Sequence, residues 1–137
     1  MTGKWKNWDI PSSFNLVDLA AAVKDAEEKA RAAQPMGLVF VEGIVLFSHP
    51  ELVKQYNAII ALDIPETHFK ERRFGRDTWI QKNVEYFEDV VLPAHYEHGN
   101  IPAPDHCKVL RVDAMLPMDQ LHQTVFDQLE AWRLSNS

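Results

Sequence analysis

The feature that most constrains the fold of this chain is an alternation between short, mainly apolar runs and stretches of helical periodicity. A short apolar run is typical of a strand that is buried on both faces. Strands that alternate with helices indicate a parallel sheet with right-handed crossovers. The pattern therefore predicts an α/β fold in which helices flank a parallel sheet of three strands, Leu38–Val41, Ala58–Ile64 and Cys107–Val112.

Helices are predicted in the intervals between these strands. Apolar side chains spaced three and four residues apart predict a first helix from Leu16 to Ala30, with Asn15 as its N-cap and Asp18 as the partner of that cap. Because 137 residues fit one domain of roughly 100–200 residues, we expect one α/β domain over residues 1–137. The other helices are predicted from 48–51 to about 57, from 65–66 to 76, over 80–98 with an interruption at Pro93, and over 121–132.

The charge balance restricts the classes of ligand. Fourteen Lys and Arg against twenty Asp and Glu give a formal net charge of −6. This charge argues against a protein that binds nucleic acid or an anionic membrane by bulk attraction. No apolar run approaches the roughly 20 residues of a membrane helix, and the start of the chain lacks a secretory signal. Cys107 is the single cysteine, which excludes an internal disulfide. We therefore expect a soluble protein of the cytoplasm.

The most informative functional signal is a cluster of three arginines, Arg72, Arg73 and Arg76. They end a helix that begins just after a strand, which places them near the carboxyl edge of the sheet, where open α/β sheets bind ligands. Guanidinium groups keep their charge and offer paired donors to phosphate. A solvated helix end whose cations complement the helix dipole explains the same pattern, and both interpretations stay open.

Glu42 and the pair Trp8-Asp9 are the next candidates. Glu42 follows a predicted strand, where its carboxylate can hold a magnesium ion or a substrate hydroxyl, or can cap a turn. The indole of Trp8 can stack on a base while Asp9 accepts hydrogen bonds from sugar hydroxyls, although packing explains a terminal tryptophan equally simply.

A metal site is a further alternative. The side chains of suitable type flank a proline-rich loop, where histidines are also commonly solvated. Cys107 opens a predicted buried strand, which is more typical of a small apolar residue than of a nucleophile. The candidate zinc ligands are His95, His98, Asp105, His106 and Cys107.

Four motifs, taken in order, resemble the uridine kinase and nicotinamide riboside kinase group of P-loop kinases. They occur in the order and approximate spacing of that group, from about residue 7 to about residue 112. The first and last motifs are more similar to nicotinamide riboside kinases. The motifs are Asn7-Trp8-Asp9-x-Pro11, Val41-Glu42-Gly43-x-x-Leu46-Phe47, Arg72-Arg73-x-x-Arg76-Asp77, and Tyr86-Phe87-Glu88 with Pro93.

The resemblance implies a parent activity and substrate-binding residues. The parent enzyme would use ATP and magnesium to phosphorylate the 5′-hydroxyl of a riboside. Trp8 resembles the aromatic residue that stacks on the substrate base, and Asp9 the carboxylate that binds ribose hydroxyls. Arg73 is similar to the arginine that helps to hold the ribose.

The resemblance also assigns residues to the phosphate side of the reaction. Arg76 is similar to the lid arginine that faces the ATP phosphates, with Arg72 as its neighbour. Glu42 resembles the acidic residue near the transferred phosphate and the metal, which makes it the catalytic candidate.

The phosphate-binding motif of such kinases, Gly-x-x-x-x-Gly-Lys-Ser/Thr, does not occur in the 137 residues, which contain five glycines. The resemblance therefore implies that the N-terminal P-loop segment, on the order of 50 residues with two strands and the general base, is missing. We expect the isolated chain to be inactive as a kinase. The alternative is a non-catalytic module that binds a nucleoside or another protein.

The missing segment has a consequence for the sheet. In the family, the first strand lies between the strands that Leu38–Val41 and Ala58–Ile64 resemble. Because exposed strand edges invite pairing, we expect these two strands either to pair directly or to be covered by a second chain, as a homodimer or with a partner.

Overall fold

A computed structural model describes residues 5–33 and 37–134 and shows an α/β chain whose sheet has two parallel strands. The chain divides into two compact units. Unit 1 comprises the residues up to Tyr56 together with Lys82–Pro102, and unit 2 comprises Asn57–Gln81 together with the residues from Ala103 onward. The expectation of one domain over residues 1–137 stays a prediction. Within the described residues, no helix has both the length and the apolar composition that crossing a bilayer requires.

Unit 1 begins with a short 3-10 turn, Pro11–Ser13, and helix α1, Leu16–Ala32. The predicted N-cap is confirmed, because the Asn15 side chain accepts a hydrogen bond from the Asp18 amide at 3.2 Å. The inward face of α1 contributes Ala20 to an apolar cluster with Leu46 and Leu52. The half-buried side chains packed against this cluster are Leu19, Val23, Val41 and Tyr56.

The second predicted helix is shorter than expected. A 3-10 turn, Leu46–Ser48, leads into α2, Pro50–Val53, which begins with proline as predicted but ends well before Asn57. The amides of Gln55 and Tyr56 bond three residues back, at 3.0 and 3.2 Å, instead of four. The chain thus tightens into turns after one helical turn. The Gln55 side chain in these turns donates a hydrogen bond to the Ala20 carbonyl of α1 at 3.2 Å.

The prediction of a strand at Leu38–Val41 is wrong. Within the described residues the sheet contains two strands, and this run pairs with neither of them. Leu38 and Phe40 are 73% and 71% exposed, whereas a strand buried on both faces would hide them. A run becomes a strand only when a neighbour takes up its amides and carbonyls, and this one has no such neighbour among residues 5–33 and 37–134.

The predicted helical region after Ile80 is interrupted at Asn83 and not at Pro93. Asn83 has a non-helical backbone, and it separates two short helices. A π-helical turn then precedes Pro93, so the Leu92 amide bonds five residues back, to Phe87. Pro93 follows this turn directly, and Val91 and Leu92 before it keep helical backbone angles, so the proline lies within a continuous helical stretch. The wider π turn is where the backbone adjusts to the missing amide. The elements are α4 (Thr78–Lys82), α5 (Val84–Tyr86), the π turn (Phe87–Val91) and α6 (Leu92–His98).

Unit 2 contains the sheet. Strand β1, Ala58–Asp63, pairs in parallel with β2, Lys108–Asp113, in a register that runs from Ala58 opposite Lys108 to Asp63 opposite Asp113. Helix α3, Glu66–Arg76, follows β1, and the closing helix α7, Met118–Leu134, follows β2. Helix α7 is tied to β2 by a hydrogen bond of 3.4 Å from Lys108 Nζ to the Trp132 carbonyl. The positions of these two strands and two helices confirm the sequence-based prediction.

Candidate functional site

The carboxyl edge of the sheet in unit 2 brings several charged groups together. Each strand ends in an aspartate, and the register places Asp63 directly opposite Asp113. The Arg111 guanidinium donates two hydrogen bonds to the Asp63 carboxylate, from Nε at 2.9 Å and from Nη2 at 2.6 Å. Both side chains are about half exposed, so this bidentate pair adds little to the free energy of unfolding. Its paired geometry instead fixes the position of the Asp63 carboxylate at the edge.

The loop that leaves β2 is also held at this edge. The Ala114 amide donates to the Asp63 carbonyl at 2.8 Å, which extends the ladder by one bond beyond the strand. One carboxylate oxygen of Asp113 accepts a hydrogen bond from the Met115 amide at 2.8 Å, a local turn that this residue type commonly makes. An open depression lies here, lined by Asp63, Ile64, Pro65 and Asp113.

Arg72 reaches this edge from α3. Its Nη2 donates to the Ala114 carbonyl at 2.9 Å and lies 3.9 Å from the Met115 sulfur. The helix that carries the arginines begins after β1, and this contact brings one of the three, Arg72, to the carboxyl edge of the sheet. One Arg72 donor is used to hold the loop after β2, while a guanidinium has five donors in total, so others stay available to an anion.

Arg73 and Arg76 lie in the last turn of α3, where cations also complement the helix dipole. Arg73 is half-buried, and its Nε atom is buried without a hydrogen-bond partner in the part of the chain that the structure describes. Arg76 is exposed. Asp77 then caps α4, since its carboxylate accepts hydrogen bonds from the amides of Trp79 and Ile80 at 2.9 and 3.2 Å.

The other predicted site residues lie in unit 1. Trp8 is 55% exposed, and the Lys6 ammonium stands 3.9 Å from the centre of its ring. Asp9 is half-buried, and its amide donates to the Asn7 side chain at 2.9 Å. Glu42 is exposed in an irregular segment, because the strand that it was expected to follow does not form. The roles assigned to these residues by resemblance stay predictions.

The alternative metal site is not supported by the arrangement of its residues. In the described ranges 5–33 and 37–134, no three His, Cys, Asp or Glu side chains come together as a metal site would require. Partial burial raises the pKa of the Cys107 thiol, which disfavours the thiolate needed of a nucleophile or a zinc ligand.

Asp63, Arg111 and Asp113 were missed as candidates in the sequence. A usable signal existed, because two of the three predicted strands, Ala58–Ile64 and Cys107–Val112, carry an aspartate near or just after their ends, and such ends meet at one edge of a parallel sheet. The pairing of Arg111 with Asp63 depends on the register, which the sequence does not specify.

Comparisons with known proteins agree with the motif order. No protein-family model matches the chain, and no solved structure matches it either. Over 145 aligned positions, which cover 97% of the chain and 74% of the relative, the sequence is 26% identical to nicotinamide riboside kinase 2 of Mus musculus. The predicted resemblance is thereby confirmed, and the chain is a distant homologue of nicotinamide riboside kinase 2.

Proposed function

We propose that this chain is the substrate-binding and lid portion of an ATP-dependent nucleoside kinase of the nicotinamide riboside type. The parent reaction transfers phosphate from ATP to the 5′-hydroxyl of a riboside, and the 137 residues by themselves bind the riboside without transferring phosphate. The observation that carries the proposal is the similarity to nicotinamide riboside kinase 2 over 97% of the chain. The cytoplasm is the proposed location.

The geometry of unit 2 supports this proposal. A helix that carries three arginines follows the first strand of a parallel pair, and one of them, Arg72, bonds the Ala114 carbonyl beside the carboxyl edge. Ligands of open α/β sheets bind at this edge. The net charge of −6 makes a local group of guanidiniums better suited to a small phosphorylated ligand than to a polyanion.

ATP and magnesium fit the described residues poorly. The sequence contains no Gly-x-x-x-x-Gly-Lys-Ser/Thr motif to wrap the phosphates with backbone amides. Within the described residues, no cluster of three or more carboxylates or histidines is present to hold a metal ion. Glu42 is therefore proposed as a catalytic residue of the parent enzyme only, and we derive no transfer step for this chain.

Riboside binding is tested by titration calorimetry with nicotinamide riboside and with uridine. We expect saturable binding that weakens about tenfold or more in Asp9→Ala and in Arg73→Ala, because a lost hydrogen bond to a charged group is worth about 1.5–3 kcal/mol. Asp25→Ala and Arg133→Ala are the matched controls, since both side chains are exposed and form ion pairs within one helix. Absence of heat with both ribosides would remove the binding part of the proposal.

Phosphate transfer is tested separately, with labelled ATP, magnesium and nicotinamide riboside. We expect no labelled product above the level without protein, because positioning and electrostatic stabilisation by the phosphate-binding loop supply most of the rate of this reaction. Turnover that disappears in Glu42→Gln but persists in Glu28→Gln, an exposed glutamate of α1, would contradict the expectation of an inactive chain.

A second function, a protein-interaction module, is favoured by one specific observation. Leu38 and Phe40 are among the most exposed large apolar side chains of the described residues, at 73% and 71%. Adjacent exposed apolar side chains commonly mark a surface that binds another chain.

A further inference from the structure

The segment that carries Trp8 is held by hydrogen bonds on both sides of this residue. The Asn7 side chain accepts a hydrogen bond from the Asp9 amide at 2.9 Å, a local turn that asparagine commonly makes. The Asn7 carbonyl accepts a second bond, from the Ser13 hydroxyl at 3.0 Å, which ties this turn to the 3-10 turn Pro11–Ser13. The backbone around Trp8 is therefore fixed, although the side chain itself is 55% exposed.

A cation already lies over the indole of Trp8. The Lys6 ammonium is 3.9 Å from the ring centre, well within the roughly 6 Å over which the face of an indole attracts a positive charge. Lys6 is exposed, so water competes with this contact. A ligand can therefore replace the ammonium at small cost.

A carboxylate follows the indole in the chain. Asp9 is half-buried, and among residues 5–33 and 37–134 its carboxylate forms no hydrogen bond or ion pair. An indole face and a carboxylate both favour a positively charged ligand, and the net charge of −6 attracts such a ligand at longer range. The segment therefore has the electrostatics of a site for a flat cation.

The charge of the base separates two classes of riboside. The pyridinium ring of nicotinamide riboside carries a positive charge, whereas the ring of uridine is neutral. A base that stacks on the face covered by Lys6 removes the contact between the ammonium and the indole. A pyridinium replaces that contact with another of the same kind, while a neutral base replaces it with stacking alone.

We propose that Lys6 is an intramolecular competitor for the Trp8 indole, and that a ligand with a cationic ring displaces the ammonium from this face. Lys6 thereby sets the affinity for the base, and Trp8 sets the preference for a charged base over a neutral one. The proposal rests on the proposed riboside binding, and it adds a residue that the motifs did not identify.

The indole face is tested first with ligands that lack a ribose. The indole N–H signal of Trp8, identified by its loss in Trp8→Leu, is followed by NMR of the isotopically labelled chain. The ligands are 1-methylnicotinamide, which is a cation, and nicotinamide, which is neutral. We expect the cation to shift this signal with a dissociation constant about threefold or more below that of nicotinamide, because only the cation gains from the charge of the indole face.

Lys6→Gln should tighten the binding of 1-methylnicotinamide about two- to fivefold, which corresponds to the about 0.5–1 kcal/mol of an exposed cation–π contact. Lys24→Gln is the matched control, because Lys24 is also exposed and loses the same charge but lies on α1. It should bind the cation like the wild type. Equal dissociation constants for the two ligands, no tightening in Lys6→Gln, or equal tightening in Lys24→Gln would each overturn the proposal.

Titration calorimetry with nicotinamide riboside on the same variants separates the role of Lys6 from the proposed function. We expect Lys6→Gln to bind the riboside about two- to fivefold more tightly than the wild type. Saturable riboside binding that Lys6→Gln leaves unchanged would support the proposed function and overturn the role of Lys6. No riboside binding, together with the expected response to 1-methylnicotinamide, would remove the proposed riboside binding and support the role of Lys6.

Discussion

Replacement of Leu52 by alanine should destabilise the chain by about 2–3 kcal/mol. Leu52 is completely buried, and it packs with Ala20 and Leu46 in the apolar cluster of unit 1. The substitution removes three carbon-sized groups, each worth about 0.8 kcal/mol on transfer from water, and leaves a cavity that adds to the loss. Because Ala20 and Leu46 keep 8% and 9% exposure, the cluster lies close to the surface and can partly collapse. The expected value therefore falls in the lower half of the usual range of about 2–5 kcal/mol.

Urea denaturation followed by far-ultraviolet circular dichroism measures this loss as a lower midpoint at an unchanged slope. Val17→Ala is the control, since Val17 lies on α1 at 66% exposure and its truncation should change stability by less than about 0.5 kcal/mol. A loss below about 1 kcal/mol for Leu52→Ala, or an equal loss for both variants, would show that the cluster does not stabilise the chain in the way its burial indicates.

Two further predictions concern titratable groups. Burial raises the pKa of Tyr56 from its ordinary value of 10.0 to about 12, so the folded chain favours the neutral phenol. The contribution of this group to the free energy of unfolding should be fully present below about pH 10 and should decline as the pH rises toward 12. Tyr56→Phe should abolish that part of the decline without loss of stability at neutral pH, because the hydroxyl is buried without a hydrogen-bond partner among the described residues. Urea titrations at several pH values measure both effects. An unchanged pH dependence of stability in Tyr56→Phe would contradict the assignment. Burial also raises the pKa of the Cys107 thiol, so alkylation by iodoacetamide should reach its half-maximal rate at a higher pH than for free cysteine, and a lower value would restore the nucleophile hypothesis.

Local sequence signals predicted a large part of the fold. The N-cap at Asn15 and the proline starts of α2 and α3 depend on interactions within a few residues, and the structure contains all of them. The strands β1 and β2 were predicted from their apolar composition, and the structure contains both, although their pairing joins distant parts of the chain. The interruption at Pro93 was wrong because a preceding π turn accommodates the proline within a helical stretch, and this accommodation has no sequence signature of its own.

The candidate site was predicted less completely. The arginines of α3 were identified from residue type and position, and Arg72 does reach the carboxyl edge of the sheet. Asp63, Arg111 and Asp113 were not identified, because their grouping depends on which residue of β1 lies opposite which residue of β2. The order of the four motifs predicted the relationship to nicotinamide riboside kinases, although each motif alone is weak.

The sequence by itself determined the alternation of strands and helices and the family that the chain resembles, because periodicity, capping and motif order are properties of the chain alone. Only the tertiary structure decided which apolar runs become strands. Leu38–Val41 and Ala58–Asp63 are similar in composition, yet only the second has β2 beside it to accept and donate its backbone hydrogen bonds. A strand is completed by its neighbour, so the same composition gives a sheet in one place and an exposed run in the other.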